Sequence, residues 1–277
     1  MGDRGEHRNG WQRFWERGRW WKALLATVGY LVLYELASLG IGLLWGSGVK
    51  ADLFSDAYSV AVGLLLPLVV GAILLLAFVA SVRWFRPLFG PQPIRGRGWM
   101  WIAVALTAIP IVLRLVGIDY ARFGPGVVAL TFLSGLLIGF TEELLTRGIA
   151  VKILRDAGFR EVAVAAISSA LFALLHSVNL LTGQPVLTVL LTVVFTFGFG
   201  MMMYLVLRVT GNIVWPMLIH GLTDPTTFLA SGGIDVAAEG AQNPVLALAG
   251  PFNILFVVAG LVALVFIRGR VRGHRAE

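Results

Sequence analysis

The sequence predicts an all-α fold, a polytopic membrane helix bundle of about eight transmembrane helices with both termini cytoplasmic. Three observations carry this. Of the 277 residues, 58% are hydrophobic and only 13% charged, against about 25% charged in a soluble domain. The apolar residues gather into runs close to the ~20 residues needed to cross a bilayer core. The basic residues gather on one side of those runs. Helices are the expected form, because hydrocarbon offers a backbone N–H or C=O no partner outside its own chain.

Taken in order, the runs lie near 23–45, 58–80, 99–118, 126–157, 159–178, 186–207, 213–230 and 245–267. The first, Ala23 to Trp45, is too long for a signal-peptide core, and no A-x-A-like site follows it, so it is expected to remain as a span. The fourth ends at the RDAGF stretch, where Gly158 suits a helix C-cap. The seventh starts near Pro216, a natural first-turn residue. Loop charge tests the count through the positive-inside rule. Arg4, Arg8, Arg13, Arg17, Arg19 and Lys22 precede the first run, and Arg83, Arg86, Arg95 and Arg97 follow the second. Arg147, Lys152, Arg155 and Arg160 mark the fourth turn, Arg208 follows the sixth run, and Arg268, Arg270, Arg272 and Arg275 form the tail. Of the 22 basic residues, only Lys50 and Arg122 fall on the opposite side and Arg114 within a run. The net charge of +7 is thus a topological signal and implies no nucleic-acid partner; the lipid bilayer is the partner it describes.

Before the first run, WQRFWERGRWWK mixes aromatic and basic residues. It reads as an interfacial anchor with rings at headgroup level. Cysteine is absent, which excludes disulfides, a thiol nucleophile and thiolate metal sites. No internal repeat, low-complexity block or soluble domain stands out. The longest loops, Ser81 to Gly98 and Ser231 to Pro244, are rich in Gly or Pro.

Function must then reside in polar residues that the apolar runs retain. A charge near a bilayer centre costs roughly 2.5–3.5 kcal/mol on insertion scales, and such residues count as site candidates by default. They are Glu35, Arg114, Glu142, Glu143, Arg147, His176, His220 and Asp224; His7 and His274 lie in the charged tails. Glu35 and Arg114 have no motif around them and read as an interhelical ion pair, with a place in the site as the alternative.

Helical spacing divides the rest. Residues four apart share a helix face, and a glutamate is better placed N-terminal to its cation. Glu143 and Arg147 have that arrangement and read as a partly neutralised structural pair. Glu142 is about 100° around the helix from Glu143 and is left for chemistry. Phe172 and His176 are again four apart, so the ring can hold the imidazole's rotamer. His220 and Asp224 repeat the spacing, and the carboxylate can orient or charge the imidazole. Counting from the turn at Gly158 puts Glu142 and His176 at similar depth. For His220 to join them, the connection from Val209 to Trp215 must dip inward, which is tolerable only where protein surrounds it.

The trio EELLTR, FALLH and HGLTD resembles the EExxxR, FxxxH and HxxxN/D signature of the CAAX-protease and bacteriocin-processing (CPBP, or ABI) family of intramembrane proteases. All three motifs occur in order on separate runs, over roughly Thr141 to Asp224. The resemblance implies a hydrolase of a prokaryotic cell membrane, integral and multi-pass, that cleaves a peptide bond in a membrane protein or peptide substrate. It divides the chain into an interfacial segment 1–22, helices one to three over 23–125, a catalytic core of helices four to seven over 126–230, and a loop, helix and basic tail over 231–277. Carried over, Glu142 activates water with His176 as partner, Glu143 and Arg147 shape the site, and His220 and Asp224 stabilise the oxyanion. Asp224 departs from the Asn of other members: an ionised carboxylate donates no hydrogen bond, so it is expected to orient His220 as the donor. A raised carboxylate pKa in a partly dry cavity would suit the general base.

Metal-free glutamate catalysis, with no cofactor, is the favoured reading, since no HExxH spacing is present. Zinc on Glu142, His176 and His220 is the alternative, a known His₂Glu catalytic set, with Glu143 then as base. Two other classes stay open: a proton-coupled transporter, since Asp, Glu and His also form proton relays, and a catalytically silent scaffold or immunity protein. No pair of broken helices in matching halves points to transport. Prenylated CAAX tails, exporter leader peptides and membrane-anchored regulators all suit such a cavity.

Overall fold

The computed structural model describes residues 8–181, 183–234 and 243–271. The expectations placed on Arg4, His7, Arg272, His274, Arg275 and the middle of the 231–244 loop fall outside these residues. The described residues are mainly helical, with no strand among them; the one extended contact is an isolated bridge between Arg160 and Arg270.

Seven helices are long and apolar enough to cross a membrane: Trp21–Gly48, Ala57–Ser81, Gly98–Gly117, Pro125–Asp156, Glu161–Leu180, Val186–Thr210 and Pro244–Phe266. They coincide with seven of the eight expected runs. The eighth, near 213–230, is a helix too, Val214–Ser231, but it is not among the seven. His220, Thr223, Asp224, Thr226 and Thr227 dilute its apolar character. Its buried residues include His220, Thr223 and Thr226, so its neighbours, and not lipid, receive the polar side chains.

The helices at the two chain ends are the most exposed, as apolar surface facing lipid would be. Leu36, Leu39, Leu43 and Leu44 of the first and Ile254, Val258 and Val265 of the last are all open. The inner helices carry the core, where Leu144, Leu154, Val164, Met201, Tyr204 and Ile213 have no exposed surface. The N-terminal segment does more than anchor. Asn9 caps a short helix, Gly10–Glu16, whose Trp15 is buried against Phe78 while Glu16 accepts from Trp84 Nε1 at 2.8 Å. Trp11 and Trp20 stay exposed, so the interfacial role falls to some rings and packing to others.

The end of the bundle that holds the Gly158 turn is tied by ions. Arg155 and Arg208, expected as loop charges, are buried and converge on Glu161. Arg155 donates from Nε at 2.9 Å and Nη2 at 2.8 Å, Arg208 from Nη1 at 3.0 Å, and the Tyr204 hydroxyl completes the shell. Gly158, at φ +80°, makes the left-handed turn that lets the chain reverse into Glu161.

Candidate active site

Pro125–Asp156 is a single long helix whose middle changes winding. It is α-helical to Glu143, π-helical over Leu144–Ala150 and α-helical again from Val151. Single π turns inside α-helices recur at functional sites. All seven residues of this one are buried, so the helix here is enclosed on every side and Arg147 is held inside protein.

The helix Val214–Ser231 packs directly on it, and glycine makes the approach possible. A Cβ on Gly139 would collide with the backbone at Met217 and Gly221, and one on Gly221 would sit 3.0 Å from Leu136 Cα. Gly135 meets Pro225 in the same way. Small residues four apart let helices in a membrane approach backbone to backbone. The consequence is a bridge between motifs 77 residues apart: His220 Nδ1 lies 2.9 Å from Glu143 Oε1. The turn before the His220 helix, Gly211 to Ile213, is tied to the loop that holds Gln92. Gly211 O accepts from Gln92 N at 2.9 Å, Asn212 Oδ1 accepts from Val214 N at 2.8 Å, and Ile213 is fully buried.

Glu143 is therefore more than half of a pair with Arg147. Its Oε1 receives Arg147 Nη1 at 3.1 Å and also faces His220 Nδ1, both side chains of the ion pair being wholly buried. Thr146 Oγ1 accepts from Arg147 Nη1 at 2.6 Å and donates to Glu142 O at 2.6 Å. Glu143 Oε2 and Arg147 Nε and Nη2 are buried without a partner among the described residues. Such atoms in a native interior call for an explanation.

Around His220 the second nitrogen is the open one. Nε2 stands 3.4 Å from Asp224 Oδ2 and 3.9 Å from Glu142 Oε2. His220 is 2% exposed, whereas Glu142 and Asp224 show 25% and 23% of their side chains. The two accessible carboxylates thus flank one buried imidazole, and the inaccessible carboxylate holds it from behind. Phe172 and Phe199 meet the His220 ring edge-on, at 5.6 and 5.0 Å between centroids. Phe172 also meets the His176 ring at 5.2 Å and lies under the Arg147 guanidinium at 4.5 Å. One ring thereby orients both imidazoles and the cation.

The structure bears on three sequence expectations. Glu142 makes no ion pair with His176 among the described residues; its nearest imidazole is His220. His176 sits where Glu161–Leu175 gives way to a 3₁₀ turn, His176–Leu180, and its Nδ1 lies 3.2 Å from Phe172 O. Same-helix spacing could not show which imidazole a third helix brings to Glu142. Glu35 and Arg114 form no ion pair with each other or with any described residue. The Glu35 helix packs on Ala57–Ser81 and the π turn, and the Arg114 helix on Val186–Thr210 and Val214–Ser231. Finally, no group of three or more His, Asp or Glu side chains among the described residues is disposed to hold a metal ion.

Spacing of charged residues also left some site residues unmarked. Gly135, Gly139 and Gly221 were legible in principle, as a small-xxx-small pair facing a lone glycine. Phe199 and Gly200 carried no signal. A Cβ on Gly200 would lie 2.7 Å from Arg147 Nη2 and 3.1 Å from Phe172 Cδ1, so only glycine leaves room for the guanidinium over its ring.

Residues 124–226, from the start of the glutamate helix to just past Asp224, match the family model described as Type II CAAX prenyl endopeptidase Rce1-like. With seven helices long and apolar enough to cross a membrane, the chain is an integral, multi-pass membrane protein. No curated protein and no solved structure matches it. The matched segment holds Glu142, Glu143, Arg147, His176, His220 and Asp224, and thus every pairwise contact described around His220.

Proposed function

We propose that the chain is an endopeptidase that hydrolyses a peptide bond in a membrane-associated or lipidated substrate, with Glu142 activating water. The observation that carries this is the asymmetry of the two adjacent glutamates. Glu143 is wholly buried and engaged with both Arg147 and His220. Glu142 is partly open, has no cation of its own among the described residues, and faces His220 Nε2.

The steps follow from those positions. Glu142 takes a proton from water, whose oxygen bonds to the scissile carbonyl carbon. Negative charge develops on the carbonyl oxygen. His220 Nε2, held from behind by Glu143 and flanked by Asp224, is the group fixed in advance to receive that charge. The C–N bond then breaks and the leaving nitrogen takes a proton, from Glu142 or from His176, whose Nε2 is left available by the Nδ1 contact. Positioned acid–base groups contribute about 10²–10⁴-fold. No step requires a metal. The family that residues 124–226 match is described as a prenyl endopeptidase, which makes a prenylated CAAX tail the first substrate class to try. A silent scaffold would keep its phenotype without Glu142.

The test is cleavage of a prenylated peptide by the purified protein in liposomes. The reading expects cleavage by the wild type, loss with Glu142→Gln, and activity unchanged by exhaustive chelation. Reversible inactivation by chelation, with zinc lost on His220→Ala, would transfer the base role to Glu143.

A further inference from the structure

The turn between the short helix Gly10–Glu16 and the first span, Trp21–Gly48, gathers four cations around a hollow. The cavity, about 380 Å³, is lined by Arg13, Phe14, Arg17, Arg19, Trp21 and Lys22. Arg17 N bonds to Arg13 O at 3.3 Å, which sets these two arginines one turn apart. Lys22 is buried; its ammonium donates to Phe14 O and, at 2.6 Å, to Arg17 O, and lies 4.3 Å from the Phe14 ring centroid. It thereby ties the end of the short helix to the start of the span and fixes a charge beside the hollow. Arg13, Arg17 and Arg19 are exposed and pair with no carboxylate among the described residues. Glu16, the one acidic residue between Arg8 and Lys22, is engaged by Trp84 Nε1 at 2.8 Å and by Lys152 and Arg8 at 3.8 Å. A hollow lined by one sign of charge concentrates the opposite sign.

We propose that this hollow binds the phosphate of an anionic phospholipid. Arg13, Arg17 and Arg19 donate to its oxygens, for which the guanidinium fork is the best-matched side chain, and Lys22 adds fixed charge. The surroundings favour a lipid as the source of the phosphate. Trp20 and Trp21 are exposed beside the hollow, as residues at headgroup level are. Leu24, Leu25 and Val28 follow at once in the chain and are exposed along the first span. A molecule with a phosphate at one end and acyl chains at the other meets both surfaces. A soluble phosphate would use the cations and leave the apolar surface unoccupied. Basic hollows at the foot of a span are suited to anionic headgroups in this way.

The test compares binding of fluorescent phosphatidylglycerol and fluorescent phosphatidylcholine to the purified full chain in an uncharged detergent. The wild type is expected to favour phosphatidylglycerol by about tenfold or more. Arg13→Gln, Arg17→Gln and Arg19→Gln together should bring the ratio near one, and Arg13→Lys, Arg17→Lys and Arg19→Lys should restore part of it. Arg86→Gln, Arg97→Gln and Arg268→Gln together, at exposed positions outside the hollow, should leave the ratio at its wild-type value. Because each ratio is taken within one protein, a smaller folded fraction does not alter it. A ratio near one in the wild type overturns the inference. An equal loss in the two glutamine triples also overturns it, since the preference would then follow net charge and not the hollow. Inorganic phosphate is expected to displace the bound lipid poorly; displacement as effective as that by unlabelled phosphatidylglycerol would overturn the lipid as the source.

Discussion

Two buried carboxylates, Glu161 and Glu143, sit in the same bundle with no exposed surface, and their surroundings differ. Both oxygens of Glu161 are engaged, by Arg155, Arg208 and Tyr204, and Arg155 also donates to Gln92 at 2.6 Å. Among the described residues, only Arg208 Nε in this cluster is buried without a partner. At Glu143 one oxygen serves both Arg147 and His220, while Oε2 and two Arg147 nitrogens have no partner among the described residues. A satisfied network rigidifies the fold, and a partly satisfied one in a native core marks a place where something else is expected to bind or react. The Glu161 cluster reads as a clasp and the Glu143 cluster as the back wall of a site.

Four expected outcomes break or sharpen that contrast. The largest is Glu142→Gln, which should cut the cleavage rate by about 10²–10⁴-fold while leaving the melting temperature in detergent at the wild-type value. Substantial residual cleavage would remove Glu142 as base. Next is Glu161→Ala, which strands two buried arginines. Removing one partner of a buried pair costs about 3–5 kcal/mol, and here the upper end is expected, read as a lowered midpoint of thermal unfolding. Activity per folded molecule should persist; its disappearance would make the clasp part of the site.

Arg147→Ala should fall nearer ~3 kcal/mol, the lower end of the same range, because Glu143 keeps His220 as a partner. It should lower both the melting temperature and activity, and its melting temperature should drop below that of Glu142→Gln. Equal midpoints for those two variants would erase the division between the glutamates. The smallest effect lies far from both clusters, at Asp56. The Lys50 ammonium at 2.8 Å and the Ser59 backbone N–H hold its carboxyl down at about 2. A carboxylate depressed in the folded state stabilises above its unfolded value and loses that contribution as pH falls toward its folded one. Asp56→Asn keeps the helix cap and should lie slightly below the wild type in thermal midpoint at neutral pH. The two should converge between about pH 4 and pH 2; a gap that persists below pH 2 would assign the difference to packing.

What the sequence determined by itself is the class of the protein and the identity of its polar core. Twenty-residue apolar runs have no use but to span or be enclosed, and charges inside them are too costly to be incidental, so the helices and Glu142, Glu143, Arg147, His176, His220 and Asp224 were legible without coordinates. Pairing within one helix was legible too, since four-residue spacing puts Glu143 beside Arg147 through geometry that any helix shares. Pairing between helices was not. That Glu142 stands 3.9 Å from His220, that Glu143 serves two partners, and that Glu35 and Arg114 form no ion pair are set by which helices touch and at what rotation. Those choices rest on the closeness that Gly135, Gly139 and Gly221 permit and on the π turn that encloses Arg147. Local spacing encodes the angle of a side chain about its own helix axis; only the packed bundle decides what stands opposite.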